Sequence, residues 1–374
     1  MFLALFLSGC SSCSGGGGDA DTETESESDS EIVFGTTTPC ANAARPGELC
    51  VPGGNYLMGC VPGDTQCEDN EKPLVMTTLS PFFIDEKEAT IADLIEWLNA
   101  IKDDPAFIAE PLGWNDGTGN QRIWGTSWNW GVIDQGDYVP IVLRDSDGEY
   151  YFNEAANEEC PAQGGAAAAA GGFSWLGAKM YCEWKGMQLP TEAQWEAAAR
   201  GQTERIWPCG SGIGECWQGV YACCTEADAC GYAYYENMCH CCAPFDVDVA
   251  NTCPSPFGVK GMYGNAAEWT ADYTSEDHSV CVGGCVDPAS PNAPYSDAVH
   301  VIKGGSMDVS GQTRLRISIR QENNTDDGSS ETGVRCARPD APFVSPDAGA
   351  TASDGGNRVH LPVASCRRGH FPSQ

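Results

Sequence analysis

Three stretches of the chain carry apolar residues at helical spacing. In "TIADLIEWLNAIKDD", Leu94, Ile95, Leu98 and Ile101 recur every three or four residues behind Thr90, a good N-cap residue. "SWLGAKMYCEWKG" opens on Ser174 and closes on Gly186, the residue type that commonly follows a helix. In "LPTEAQWEAAARG", Thr191 and Gln194 form a capping box behind Pro190, and Gly201 supplies the stop. Between these segments lie Gly-, Pro- and Asn-rich connections with few alternating runs. The pattern predicts an irregular, loop-rich α+β domain rather than a sandwich or a parallel α/β sheet. Regular patterning begins near Cys40 and fades near residue 344, without an internal repeat, so residues 40–344 read as one domain. Residues 11–39 read as a tether, because Gly15–Gly18 is flexible and "DADTETESESDSE" has no apolar run to bury. Residues 345–374 lose periodicity and read as a tail. The run Ala166–Gly172 reads as a low-complexity loop.

Charge narrows the choice of partners. The 374-residue chain has 20 Lys and Arg against 53 Asp and Glu, a formal charge of −33. Such a surface repels phosphate backbones, so nucleic acid is excluded as a partner and cations are favoured. Twenty-one cysteines, with 44 glycines and 23 prolines, point to an oxidising compartment and a fold stapled by disulfides. The start, "MFLALFLSGCSS", resembles a bacterial lipobox, with Cys10 as the acylated residue and residues 1–10 as signal peptide and anchor site. The apolar run is too short to span a bilayer. A lipoprotein of the outer membrane, facing the periplasm or the cell surface, is the expected location. Without Cys10, an even twenty cysteines remain.

Six segments, in order, carry a family resemblance: "PGGNYLMGC" (52–60), "FFIDEKEAT" (82–90), "LPTEAQWEAAARG" (189–201), "GNAAEWTADY" (264–273), "VIKGGSMD" (301–308) and "TGVRCAR" (332–338). Together they resemble the formylglycine-generating enzyme, or sulfatase-modifying factor, family. The resemblance implies a C-type-lectin-like fold and a disulfide between Cys182 and Cys336. A bridge closing so long a loop stabilises by roughly 4–5 kcal/mol in the chain-entropy model.

The family's oxidase activity converts a sulfatase cysteine to formylglycine, using oxygen and copper held by two thiolates. Soft sulfur is what holds Cu(I). Anchored on Arg320, the resemblance places Gln312 and Ile317 at the two thiol positions, and neither residue binds copper. No cysteine lies between Cys285 and Cys336 to replace them. The resemblance also implies a calcium loop at Gly261, Gly264, Ala266 and Glu268. Glu268 is its hard-oxygen ligand, Gly264 and Ala266 offer carbonyls, and Gly261 stands where the family has a side-chain ligand. The other reading of Glu268 is a hydrogen bond to the loop backbone. Asn237 is the one remnant of a second calcium site.

Residues 209–253 depart furthest from the family. Nine cysteines and His240 there read as a disulfide-stapled insertion rather than a zinc site, since the spacing lacks two metal-binding pairs. Short loops suggest Cys40–Cys50 and Cys60–Cys67 as further disulfides, and "CVGGC" suggests Cys281–Cys285. Glu192 and Glu196, four residues apart on a helix, read as buried scaffold or cap rather than an acid/base pair. None of the five histidines has a spacing that suggests a relay or a metal triad. Trp114, Trp124, Trp128 and Trp130 either line a groove for a sugar or peptide or cover the core. The expected function is a non-catalytic, calcium-compatible and copper-free binding or scaffold module for a peptide, glycan or envelope protein. The alternative is an oxidoreductase of the formylglycine-generating type.

Overall fold

The computed structural model describes residues 32–109, 112–115, 120–123, 141–144, 147–152, 165–210, 244, 246–248, 254–274, 278–289, 299–307, 312–324, 328–329 and 331–341. Cys10, the acidic run, Asn237 and most of the Cys-rich insertion lie outside these residues, as do Trp124, Trp128, Trp130 and the 345–374 tail. Contacts divide the chain into Met1–Val33 and Phe34–Gln374, and the strands and helices of the described residues all belong to the second unit.

Its elements run β1 (Glu48–Val51), β2 (Gly54–Met58), β3 (Val75–Leu79), β4 (Phe82–Asp85), α1 (Ile91–Ile101), β5 (Phe107–Ala109), β6 (Leu112–Asn115) and β7 (Asn120–Arg122). Then come β8 (Ile141–Arg144), β9 (Glu149–Phe152), α2 (Trp175–Trp184), α3 (Glu192–Arg200), β10 (Ala267–Tyr273) and β11 (Cys285–Val286). The series ends with β12 (Val299–Lys303), β13 (Gln321–Asn324), β14 (Thr332–Gly333) and β15 (Ala337–Pro339). These strands form small sheets ordered β1-β4-β15, β13-β12-β10-β14, β11-β3-β2, β5-β6-β7 and β8-β9. The fold is therefore a mixed α+β one.

Each predicted helix forms behind its predicted cap. Thr90 Oγ1 accepts from the Asp93 N–H while the Asp93 carboxylate accepts from the Thr90 N–H. Ser174 caps α2, and Thr191 with Gln194 closes the same reciprocal box on α3. These pairs satisfy N–H groups that a helix start otherwise leaves without partners. Gly201 ends α3 at φ +64°.

Two large apolar clusters form the core, and α3 lies within the second of them. One gathers Trp97, Phe173 and Tyr181 from α1, α2 and the segment before α2. Trp97 stacks on Phe173 at 6.0 Å and meets the edge of Tyr181 at 5.9 Å. The Cys182–Cys336 disulfide is fully buried within it. The other packs Ala197, Ala198 and Ala199 of α3 against Tyr56, Phe82 and Ile317.

The alanine run is a loop, as expected, but a buried one. Ala168, Ala169 and Ala170 are core residues, and Ala168 and Ala169 bridge Asp246 and Thr90. Small side chains let this backbone pass between α1 and β14. A Cβ on Gly333 would lie 2.9 Å from the Ala170 carbonyl oxygen. Low complexity here reflects lack of space, not lack of order.

Candidate functional site

The segment implied to carry copper is built for another purpose. After a 3-10 turn (Gln312–Leu315), Leu315, Ile317 and Ile319 alternate with Arg316, Ser318 and Arg320, and all six are buried. Of the odd positions, Leu315 and Ile317 enter apolar clusters, and Ile317 is 0% exposed. The even positions enter ionic ones. Arg316 forks onto Glu71 with two bonds of 2.6 Å and reaches Asp64 at 2.8 Å. A ligand atom at position 317 would thus face hydrocarbon. Every cysteine among the described residues is disulfide-bonded. The pairs that lie wholly within the described residues are Cys40–Cys50, Cys60–Cys67, Cys182–Cys336 and Cys281–Cys285, and Cys209 is the ninth bonded cysteine.

The loop implied to bind calcium is closed by a guanidinium. Glu268 is fully buried. Its carboxylate accepts from Arg335 Nη2 at 2.7 Å, Arg335 Nε at 3.0 and 3.1 Å, and Trp195 Nε1 at 2.7 Å. Both oxygens are engaged, so the donor set of Gly261, Gly264, Ala266 and Glu268 is not assembled as a calcium cage would require. Nor does Glu268 hold the loop backbone. Glu88 performs that task, accepting from the Ala266 N–H at 3.1 Å and from Asn265 Nδ2 at 3.0 Å. Gly261, at φ +72°, leaves room for it, since a Cβ there would collide with the Glu88 carboxylate. Burial first, and then the charge of Glu268, push Glu88 up to about 8. Sequence reasoning missed Glu88, although it lies inside "FFIDEKEAT".

A second acidic cluster lies at the other end of Trp195 and opens outward. Glu192 and Glu196 stand one turn apart on α3, with the buried Lys303 ammonium between them at 3.3 and 2.8 Å. Glu196 also accepts from Arg200 at 3.1 Å and from the Gly59 N–H at 2.9 Å. Arg320 reaches Glu192 at 2.9 Å. Burial pushes the Glu192 carboxyl up, but Lys303, His278 and Arg320 outweigh it and hold the group well below the usual carboxylate range.

His278 is the group that sequence spacing could not reveal. It is 2% exposed, its Nε2 lies 3.5 Å from Glu192 Oε1, and neither ring nitrogen has a hydrogen-bond partner. Gly59 admits the ring, since a Cβ there would approach Nδ1 to 2.7 Å and the Glu71 carbonyl to 2.6 Å. Ligand atoms of Glu192, Glu196 and His278 lie close enough to share a metal ion. Lys303 occupies the cation's place between the carboxylates, and Arg320 and Arg200 add further positive charge.

Glu192, Asp272, His278 and Arg320, with Met58 and Val280 among the apolar residues, line a small cleft of about 50 Å³. Asp272 is tied to the helix start, accepting from the Glu192 N–H at 2.6 Å. Of the tryptophans expected to line a groove, Trp114 falls within β6, where its backbone pairs with Phe107 and Gln121. The other three lie outside the described residues.

The small sheets, the buried disulfide and the paired ionic interior define a disulfide-stapled α+β domain. The sulfatase-modifying factor enzyme 1-like domain model matches residues 33–340, and the chain belongs to that family. It is 28% identical over 312 residues to the formylglycine-generating enzyme of Thermomonospora curvata, covering 78% of this chain and 93% of that protein. It is also 26% identical to the inactive Cα-formylglycine-generating enzyme 2 of Mus musculus, covering 79% and 87%. Among solved structures, PvdO from Pseudomonas aeruginosa superposes with a TM-score of 0.53 at 18% identity, covering 79% of this chain and all of that one.

Proposed function

We propose that this chain is a binding member of the sulfatase-modifying factor family, acting in the cell envelope without the family's copper-thiolate oxidase chemistry. The carrying observation is Ile317, a buried core residue where the resemblance requires a thiolate. The absence of a free thiol among the described residues supports the same reading. A relative of similar identity bears the name of an inactive enzyme, so loss of the activity has precedent in the family.

The cleft at the N-terminus of α3 is the ligand site. Its floor offers an ionised carboxylate, a guanidinium and an imidazole with open hydrogen-bonding capacity, and Met58 and Val280 supply apolar contact. A few convergent polar groups in so small a recess suit one polar group, such as a hydroxyl or amide, projecting from a peptide or sugar bound across its mouth. Buried polar groups are normally partnered, so a ligand hydroxyl or amide completing His278 gains a bond the protein lacks.

Two measurements test the reading. Incubation with a Cys-x-Pro-x-Arg peptide, copper and oxygen is expected to leave the cysteine unchanged, and formylglycine in the product overturns the proposal. Peptide and glycan arrays probed with the full chain are expected to give binders that are lost in His278→Gln, while near-ultraviolet circular dichroism stays native. Binding that survives this substitution removes the cleft from the proposal.

A further inference from the structure

The cleft hides the group that a ligand would use. His278 is 2% exposed, both ring nitrogens are buried, and the space beside the ring is only about 50 Å³. A ligand atom therefore reaches the imidazole only if a wall moves. Five of the lining residues, His278, Val280, Cys281, Pro288 and Ala289, come from one excursion of the chain between β10 and β12. The others belong to β2, α3 and β10 or, as Arg320, directly precede β13.

The excursion is one closed piece, lightly attached. The Cys281–Cys285 disulfide and two turn bonds, Val282 N–H to the Ser279 carbonyl at 3.1 Å and Gly284 N–H to the Cys281 carbonyl at 2.9 Å, fold it on itself. Between positions 278 and 287 only His278 and Cys281 are buried, whereas Val280, Val282 and Val286 are 61%, 67% and 74% exposed. The imidazole has no hydrogen bond to the body. Attachment falls to a short seam along β3. There β11 pairs Cys285 with Thr77 and Val286 with Thr78, and the Asp287 N–H donates to the Thr78 carbonyl at 2.8 Å. The seam ends where the Asp287 carboxylate accepts from the Ser80 N–H and the Ser80 hydroxyl, both at 2.7 Å. Asp287 makes those bonds at φ +44° and precedes Pro288, a position that favours extended backbone. Two side-chain bonds thus hold a strained backbone in place.

We propose that residues 278–287 form a lid on the cleft, with the Asp287–Ser80 contact as its latch. The proposal rests on the reading of the cleft as a ligand site. While the latch is closed, β11 lies on β3 and His278 is out of reach. When Ser80 lets go, Asp287 relaxes to extended backbone, the seam parts, and the disulfide-closed piece lifts with His278 on its inner side. Both latch residues are exposed, so water competes for their two bonds. Reburial of Cys281 in its apolar cluster draws the lid back.

The test is carbethoxylation of the full chain by diethyl pyrocarbonate, followed residue by residue with peptide mass spectrometry, and it needs no ligand. His278 on the lid is compared with His300, which is 4% exposed on β12. Slow modification of His278 is expected in the parent chain. In Asp287→Ala, which loses both latch bonds and keeps the strain, the rate is expected to rise about tenfold. Asp287→Gly, which tolerates the positive φ, and Ser80→Ala, which loses one bond, are expected to raise it less. His300 should keep its parent rate in all three. Equal His278 rates in the parent and Asp287→Ala overturn the latch. A joint rise at His278 and His300 is general loosening and overturns the lid. An Asp287→Gly rate equal to that of Asp287→Ala removes the strain from the mechanism. Binders lost in His278→Gln, with carbethoxylation unchanged by the latch variants, would keep the cleft as the ligand site and remove the lid alone.

Discussion

Trp195 separates two buried carboxylate pairs that obey opposite electrostatics. On the Glu268 side, two carboxylates share one guanidinium in a sealed pocket, and Glu88 is driven toward its neutral form. On the Glu192 side, two carboxylates are surrounded by Lys303, Arg320 and Arg200, and Glu192 is held ionised. Burial alone raises a carboxylate, so the number of nearby cations decides the outcome. The sealed pair closes a loop. The over-compensated pair keeps its charge at a cleft floor, where a ligand can use it.

The largest expected effect removes the cation at the centre of the second pair. Lys303→Met leaves two carboxylates facing each other in the interior, and breaking a buried ion pair from one side costs about 3–5 kcal/mol. Urea unfolding of the variant measures it. A loss below about 1 kcal/mol would mean the cluster is hydrated and the contrast between the two pairs is unreal.

The pH dependence separates the pairs by sign. Glu88 has a folded pKa of about 8, above its ordinary 4.5, so the native state holds a proton that the unfolded chain has released. Its contribution is fully present below the ordinary value and declines as pH rises toward 8, by an amount on the order of a few kcal/mol. Glu192 is depressed, so its contribution is present above the ordinary carboxylate range and is lost as pH falls below it. Melting temperatures across pH 3–9, an interval of about six units spanning the ordinary carboxylate pKa and the raised one, should show both limbs. Glu88→Gln is expected to flatten the alkaline limb and Glu192→Gln the acid one. A Glu88→Gln profile matching the parent chain would place Glu88 in a less buried setting than the one described.

Gly59→Ala tests the seat of His278. The Cβ would press on the imidazole and the Glu71 carbonyl at a positive φ, a cost of about 1–3 kcal/mol. Ligand binding at the cleft should weaken with it, whereas the Glu268 pair should keep its alkaline limb. The smallest effect is expected for Ile317→Cys, about 1 kcal/mol of lost packing. Its thiol should react with maleimide only on unfolding and should bind no copper. Rapid labelling in the native state would turn position 317 outward and revive the oxidase alternative.

The local elements are legible in the chain because their causes are local. Thr90 with Asp93, Ser174, and Thr191 with Gln194 each satisfy helix-start N–H groups within three residues, so spacing alone reveals them. The short disulfide loops are local as well. The buried ion pairs are not legible. Glu71 meets Arg316 across 245 residues and Glu268 meets Arg335 across 67, and nothing in the charge pattern selects those partners from 53 acids. The family resemblance therefore points to Glu268 as a calcium ligand, with a backbone brace as the other reading, whereas Glu88 braces the loop and Arg335 supplies the positive charge. His278 escapes notice for the same reason, since Glu192, the carboxylate it faces at 3.5 Å, lies on a helix far away in the chain.

The chain by itself determined the helices, their caps, the family motifs and the absence of cysteine from the implied copper positions, because each is a matter of residue type at short range. Only the tertiary structure decided which carboxylate keeps its charge and which histidine ring nitrogens stand without a hydrogen-bond partner. Those outcomes depend on desolvation and on cations brought from distant segments, and burial is a property of the packed molecule rather than of any stretch of it.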